Sequence, residues 1–290
     1  MANDTVLRPE YVRDQVQEHD FGVVQKPLTP WDRLYGNGYF RKGVILLVLA
    51  AIWQAYASYL NNPLVLPTFL ATLQSFIERV ASGELVGKAW VSIKVLLQGY
   101  VIGMALALLL TVLAVATRIG NDLLETLTAM LNPLPAIALL PLALIWLGLG
   151  NPSIVFVLIH AVMWPVALNT HSGFLGVSNT LRMVGRNYGL SGLGYVRQIL
   201  IPAAFPSILA GLKIGWAFAW RTLIAAELVF GTSSGSGGLG WFIYENKNTL
   251  DIPAVFAGLF TVILIGLLVE SLIFRTLEQR TIRKWGMQHG

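Results

Sequence analysis

The chain has 290 residues, of which 55% are hydrophobic and only 12% charged, and its mean hydropathy is +0.65. A soluble domain of this length needs charged helix faces toward water, so this composition describes an integral membrane protein. No cysteine is present, which excludes a disulfide framework and a thiolate metal site. The net charge of +5 clusters beside apolar segments, which argues against nucleic acid as its partner.

The amino end, Met1 to Arg33, is polar and mixed in charge, without the basic stretch, apolar core and small-residue cleavage site of a signal peptide. Within it Glu10 to Phe21 reads as tail or as a short amphipathic helix. Trp31, Tyr35, Tyr39 and Phe40, interleaved with Arg33, Arg41 and Lys42, read as an interfacial elbow in contact with lipid headgroups.

Six spans are predicted after it: Gly43 to Leu60, Val91 to Thr117, Leu123 to Leu149, Ile154 to Asn169, Phe205 to Phe230 and Val255 to Phe274. Pro67 to Ala81 is too short and too charged at its end to cross, and reads as an interfacial helix on the far side. Gly99 and Gly103 form a GxxxG pair that lets a neighbouring helix approach closely. The expected fold class is an all-α membrane protein with residues 1–42 as tail and elbow, 43–274 as membrane domain and 275–290 as a second tail.

Lys and Arg set the orientation. Arg33, Arg41 and Lys42, then Arg118, then Arg182, Arg186 and Arg197, then Arg275, Arg280, Arg283 and Lys284 all fall on one side of six crossings. The opposite loops balance Arg79, Lys88 and Lys247 against Glu78, Glu84, Glu245 and Asp251. The positive-inside rule then makes both termini cytoplasmic.

Prolines interrupt spans three and four. If helix continued through Pro133, Pro135, Pro141 and Pro165, the carbonyls of Ala129, Leu131, Ile137 and Ala161 would be freed, and hydrocarbon tolerates that only against protein or a water-filled cavity. These spans are therefore candidates for a pathway wall, unless Pro133 and Pro135 merely start a helix. His160 and Trp164 lie one turn apart, and Asn169 follows.

Between spans four and five lies Leu181 to Pro202, polar, basic and broken by glycine. Apolar residues recur at helical spacing on both sides of Gly189, Leu190, Ser191 and Gly192, which predicts two short amphipathic helices joined by an elbow on the membrane face. In span five, Arg221 stands about 13 Å from the far end, near the midplane. Burial of an arginine there costs at least about 2.5 kcal/mol, so it needs a partner or water. It either contacts an anion or holds a structural ion pair. Glu227, six positions on, is about 120° around the helix and badly placed to pair with it.

The loop resembles that of the permeases of binding-protein-dependent ABC importers, whose pattern is E-A-A, three residues, G, nine residues, I-x-L-P. Here Gly189 is followed after nine residues by Ile199, Leu200, Ile201 and Pro202, with Ile201 in place of leucine, while Met183, Val184 and Gly185 stand where E-A-A would be. The run NPLPAIALLPLALIWLGLG, Asn132 to Gly150, and AAELV, Ala225 to Val229, resemble the nitrate, sulfonate and taurine branch.

The resemblance implies the type I, MetI-like permease fold with a cytoplasmic coupling helix. It makes Arg182, Arg186, Gly189, Leu190, Ser191 and Pro202 the ATPase-coupling residues. It also implies ABC ATPase subunits carrying ATP and magnesium, a second permease copy, and a periplasmic or lipid-anchored solute-binding protein. Arg221, Trp164, Asn169, His160, Trp220 and Glu227 are then the candidate residues of the pathway, with a small anion as solute.

The chain offers no catalytic set, metal site or cofactor site of its own. Gly83 to Ala89, GELVGKA, is one residue short of a P-loop and lacks its hydroxyl, and Gly235 to Gly240, GSGGLG, lacks the preceding strand of a nucleotide site. The latter reads as a flexible turn beside the solute entrance. A stand-alone secondary carrier or channel for a small anion remains the second reading, with Glu227 and Glu270 as the main acids near spans five and six.

Overall fold

A computed structural model describes Trp31, residues 35–230 and residues 237–283; among these the chain is helical almost throughout and forms no strand. The possible helix at Glu10 to Phe21, Arg33 of the elbow, and Lys284 lie outside the described residues. Two units divide the chain, residues 1–50 and 51–290. In the first, Arg41 Nη1 donates to the Tyr35 carbonyl at 2.8 Å, and its guanidinium lies 5.9 Å from the Tyr35 ring centre. Helix α1, Gly38–Leu60, leads from the first unit into the second.

The second unit continues with α2 (Phe69–Ala81), α3 (Glu84–Ala116), α4 (Arg118–Leu131), a 3₁₀ turn (Ala136–Leu139), α5 (Leu140–Leu147), α6 (Asn151–Leu175) and α7 (Asn179–Asn187). After it come α8 (Gly192–Tyr195), a π turn (Val196–Leu200), α9 (Ile201–Phe230), α10 (Leu239–Asn248), α11 (Ile252–Leu268) and a helical tail to Arg283. Among the described residues five stretches are long and apolar enough to cross a bilayer, and α4 with Ala136–Leu147 makes a sixth only as a pair bent by 88°.

Helix α6 is the centre of the bundle. With no hydrophobic driving force between helices in lipid, close packing has to hold them, and that demands small residues at the crossings. A Cβ on Gly99 would collide with Leu158, and one on Gly103 would stand 2.9 Å from Val162 Cβ, so α3 lies directly on α6 and parallel to it. Gly211 and Gly215 repeat the motif on α9. Their Cβ positions would fall 2.8 Å from Asn169 Cβ and 3.2 Å from Val166 Cγ2, which places α9 antiparallel against the other flank of α6. Tyr100 of α3 closes the triangle with a 2.9 Å hydrogen bond to the Leu212 carbonyl of α9.

The third span is not one continuous helix; of the two readings that the sequence leaves open, the structure has the one in which Pro133 and Pro135 precede a new helical start. Helix α4 stops at Leu131, the chain turns through Asn132–Pro135, and Pro141 sits in the first turn of α5, where its missing N–H costs nothing. The turn also occupies two carbonyls expected to be free: Leu131 O accepts from Leu134 N at 3.2 Å, and Ile137 O from Leu140 N. The bent pair still crosses. Its first residues line the same cavity as the end of α6, while α6 starts at the opposite end of the bundle. Pro165, in contrast, lies inside an unbroken α6, longer at both ends than the predicted span.

Two further differences concern loops. Residues 231–236 lie outside the described residues, but the expected flexible turn is in part ordered helix, because Gly238 and Leu239 open α10. The second helix of the Leu181 to Pro202 loop is not a separate surface helix, since Gly192 to Val229 forms one candidate span. Pro202 would clash with the carbonyl four residues back, and the backbone widens there so that Ile201 N reaches Val196 O.

At the α10 end, Arg79 binds Glu84 and Asp251, each at 2.7 Å, so one guanidinium ties the end of α2 to the starts of α3 and α11. Trp53 Nε1 donates to the Pro67 carbonyl at 3.0 Å and fastens α1 to the turn before α2.

Candidate functional site

A cavity of about 310 Å³ opens where the bend between α4 and α5 faces α6 and α9. Its walls are Asn132 to Ile137 from the bend, His160, Ala161, Trp164 and Pro165 from α6, and Phe218, Arg221 and Thr222 from α9. Each wall follows from local sequence. The prolines end α4 and hold the bend open. His160 and Trp164, four apart, share a face of α6, as Phe218 and Arg221–Thr222 share one of α9. Ala161, whose carbonyl Pro165 leaves without its helical donor, lies in this wall.

Arg221 is exposed toward the cavity. Its Nε donates to the Ala217 carbonyl at 3.0 Å and its guanidinium carbon lies 5.1 Å from the Phe218 ring centre. It has no carboxylate within ion-pair distance among the described residues. Beside it, neither ring nitrogen of His160 nor Nε1 of Trp164 has a well-formed hydrogen bond among the described residues, and the two rings meet edge to face at 6.0 Å. The site therefore presents a guanidinium with no carboxylate beside it among the described residues, the His160 and Trp164 rings, and a narrow proline-rich bend. Such a lining suits a small anion that takes two parallel N–H bonds from the guanidinium.

Three other candidate residues lie elsewhere. Trp220 is buried and turned away, its Nε1 donating to the Val262 carbonyl of α11 at 3.3 Å. Asn169 Nδ2 donates to the Pro165 carbonyl at 2.8 Å, and its Cβ packs where Gly211 makes room. Glu227 is buried where α3, α9 and α10 meet. The Ser92 hydroxyl donates to it at 2.8 Å from each carboxylate oxygen, Gly240 N donates to it at 2.8 Å, and Leu239 N donates to the Ser92 oxygen at 2.8 Å. The carboxylate thus anchors the start of α10 to the bundle, and the expected absence of a direct Arg221 to Glu227 pair agrees with the helical spacing.

At the other end, the loop has the predicted elbow. Gly189 adopts φ +70° and Gly192 φ +52°, a left-handed conformation that suits glycine. Leu190 and Ser191 lie between them. Arg186 is exposed, as are Leu181, Met183, Val184, Tyr188 and Leu193. Arg182 turns inward instead: Nε donates to Val177 O at 3.0 Å and Nη2 to Phe174 O at 2.6 Å, which satisfies carbonyls at the end of α6. Gly185 is the missed residue here. A Cβ on it would lie 2.9 Å from Ile199 and 3.1 Å from the Tyr195 ring, so α7 rests directly on the segment that becomes α9.

The sequence pattern of the binding-protein-dependent transport system inner membrane component family matches residues 99–283. The chain is 34% identical over 223 residues to a putative ABC transporter permease protein of Methanocaldococcus jannaschii, covering 76% of this chain and 82% of that protein. It is 31% identical to a putative aliphatic sulfonates transport permease protein of Bacillus subtilis, over 88% of this chain and 90% of the relative. Against a nitrate import permease protein of Synechocystis the identity is 29%, over 84% and 90% of the two chains.

Proposed function

Because the chain belongs to the family of inner-membrane components of binding-protein-dependent transport systems, in the nitrate, sulfonate and taurine branch of ABC importer permeases, we propose that it forms the pathway for a small anion and that Arg221 meets that anion. The observation that carries this reading is the guanidinium itself. It stands in the wall of a 310 Å³ cavity with no carboxylate partner among the described residues, so the cost of its membrane position is offset when water or an anionic solute occupies the site.

An external binding protein delivers the solute, and two permease copies enclose the route. The α7 end faces the cytoplasm. Arg118, Arg182, Arg186, Arg197 and Arg275 gather there, while Arg79 at the opposite end is neutralised by Glu84 and Asp251. ATPase subunits grip the exposed apolar side chains of α7 and the elbow. Their movement reaches the cavity by two rigid links: the Arg182 bonds to the end of α6, and the seat of Gly185 on the segment continuous with α9. Both helices wall the cavity, so a push on α7 shifts His160 and Trp164 relative to Arg221. The ATP and its magnesium belong to the partner subunits.

The test is uptake by proteoliposomes that contain this permease, its ATPase and its binding protein. Nitrate, taurine and an alkyl sulfonate are offered against neutral and cationic solutes of similar size. The reading requires ATP-dependent uptake of an anion. Preferential uptake of a neutral or cationic solute would refute the assignment of Arg221, while leaving the family unaffected.

A further inference from the structure

A second cavity, of about 460 Å³, lies at the α7 end, remote from Arg221, in the corner where α3 passes into α4 beside the end of α6. Thr117, Arg118, Asn121, Asp122, His171 and Arg182 supply its polar lining. His171 decides its character. It is only 7% exposed, it faces this cavity, and it has no hydrogen bond or ion pair among the described residues. The ring is enclosed while its unpartnered nitrogens open onto the cavity, so a hydrogen-bond partner for them has to come from within that space.

Two guanidinium groups face the same space. Among the described residues Arg118 is exposed and unpaired, and Arg182, whose Nε and Nη2 hold carbonyls of the α6 end, keeps Nη1 free of any protein bond. Asp122, on the rim one turn after Arg118, pairs with neither. Within the lining two arginines stand against one carboxylate, Glu125 lying outside it with Oε1 accepting from Asn121 Nδ2 at 2.9 Å, and the imidazole adds a donor from inside.

We infer that this cavity is a binding site for a small oxyanion, a free sulfate-like ion or the phosphate of an anionic lipid headgroup, held by Arg118, His171 and Arg182. It is separate from the translocation cavity. Because Arg182 belongs to α7, an anion here is held by the same helix that the ATPases move. Its cytoplasmic access rests on the orientation proposed above, whereas the chemistry of the site does not.

The chain contains no cysteine, so Asn121→Cys places a single thiol in the cavity wall. The full chain carrying it is reconstituted in nanodiscs of phosphatidylcholine, and its modification by a maleimide is timed in potassium sulfate and in potassium gluconate of equal ionic strength. A ligand at three times its Kd slows modification by about fourfold, and that slowing is the expected result for sulfate. Arg118→Gln, which alters an exposed side chain and leaves the fold intact, abolishes it, as does His171→Gln. Discs containing phosphatidylglycerol distinguish the sources: protection there without sulfate assigns the site to a lipid headgroup.

Modification unchanged by both sulfate and anionic lipid overturns the inference, and so does protection that survives Arg118→Gln. Protection conferred solely by adding the ATPase also overturns it and makes the cavity a protein socket. Nanodiscs expose both faces, so a failure of the proposed orientation does not affect this result. Orientation is read separately, from whether an impermeant maleimide reaches the thiol in right-side-out vesicles.

Discussion

Replacing Arg221 by alanine separates a solute contact from a structural one. The side chain's protein contacts are a bond to a carbonyl of its own helix and a stack on Phe218. The stack is worth about 0.5–1 kcal/mol, and insertion of the charge costs at least about 2.5 kcal/mol, so the folded permease loses no stability on balance. Transport behaves differently. A charge-assisted contact with the solute contributes about 1.5–3 kcal/mol, which at 1.4 kcal/mol per decade lowers transport efficiency by roughly ten- to a hundredfold. Arg221→Lys keeps the charge but not the fork, and falls between the two.

The assay pairs initial uptake rates in proteoliposomes with the thermal melting of the purified complex. Slowed uptake with an unchanged or raised melting temperature is expected. A melting temperature lowered by the equivalent of about 2 kcal/mol, or uptake equal to wild type, would refute the reasoning.

Other substitutions probe the scaffold. Gly103→Leu pushes a side chain into Val162 and the Ile159 carbonyl and should cost about 1–3 kcal/mol, read as a lower melting temperature; a neutral effect would show that α3 and α6 are not in this close contact. Glu227→Ala strands the Ser92 hydroxyl and the Gly240 amide and should cost about 2–4 kcal/mol, whereas Glu227→Gln keeps most of the bonds and should cost less than half as much; equal melting losses would contradict the hydrogen-bond account. Gly189→Val forces a β-branched residue to φ +70° where no neighbouring atom crowds it, a purely conformational penalty of about 1–3 kcal/mol. Binding of the ATPase should weaken by about fivefold or more, and Gly189→Asn should retain it; tight binding by both variants would mean the elbow is not the handle.

The membrane class, the family and most spans were legible because apolar length and a glycine-spaced loop are local signals. Gly211 and Gly215 carry the same spacing as Gly99 and Gly103 and were available to be read. The bend after Leu131 was marked by Pro133 and Pro135, but composition cannot distinguish a kinked crossing from a broken one. Helix α10 has no clear signal in the sequence, because WFIYENKN is short and mixed in character and what fixes its start is Glu227 and Ser92, far away in the chain. Among the pathway candidates, one helical turn brought His160 and Trp164 together, while Trp220 differs from its neighbour Arg221 by about 100° and so faces α11. Asn169 turns onto the Pro165 carbonyl four residues back in its own helix, and Arg182 onto carbonyls at the end of α6, a contact that depends on where that helix stops.

The most direct test of an ATP-driven pathway worked through α7 is solute uptake by proteoliposomes containing this chain, measured with and without its ATPase partner and with orthovanadate. Uptake that needs the ATPase and stops with vanadate is the expected result. Uptake by the chain alone, insensitive to vanadate, would contradict it and make the protein a self-sufficient carrier.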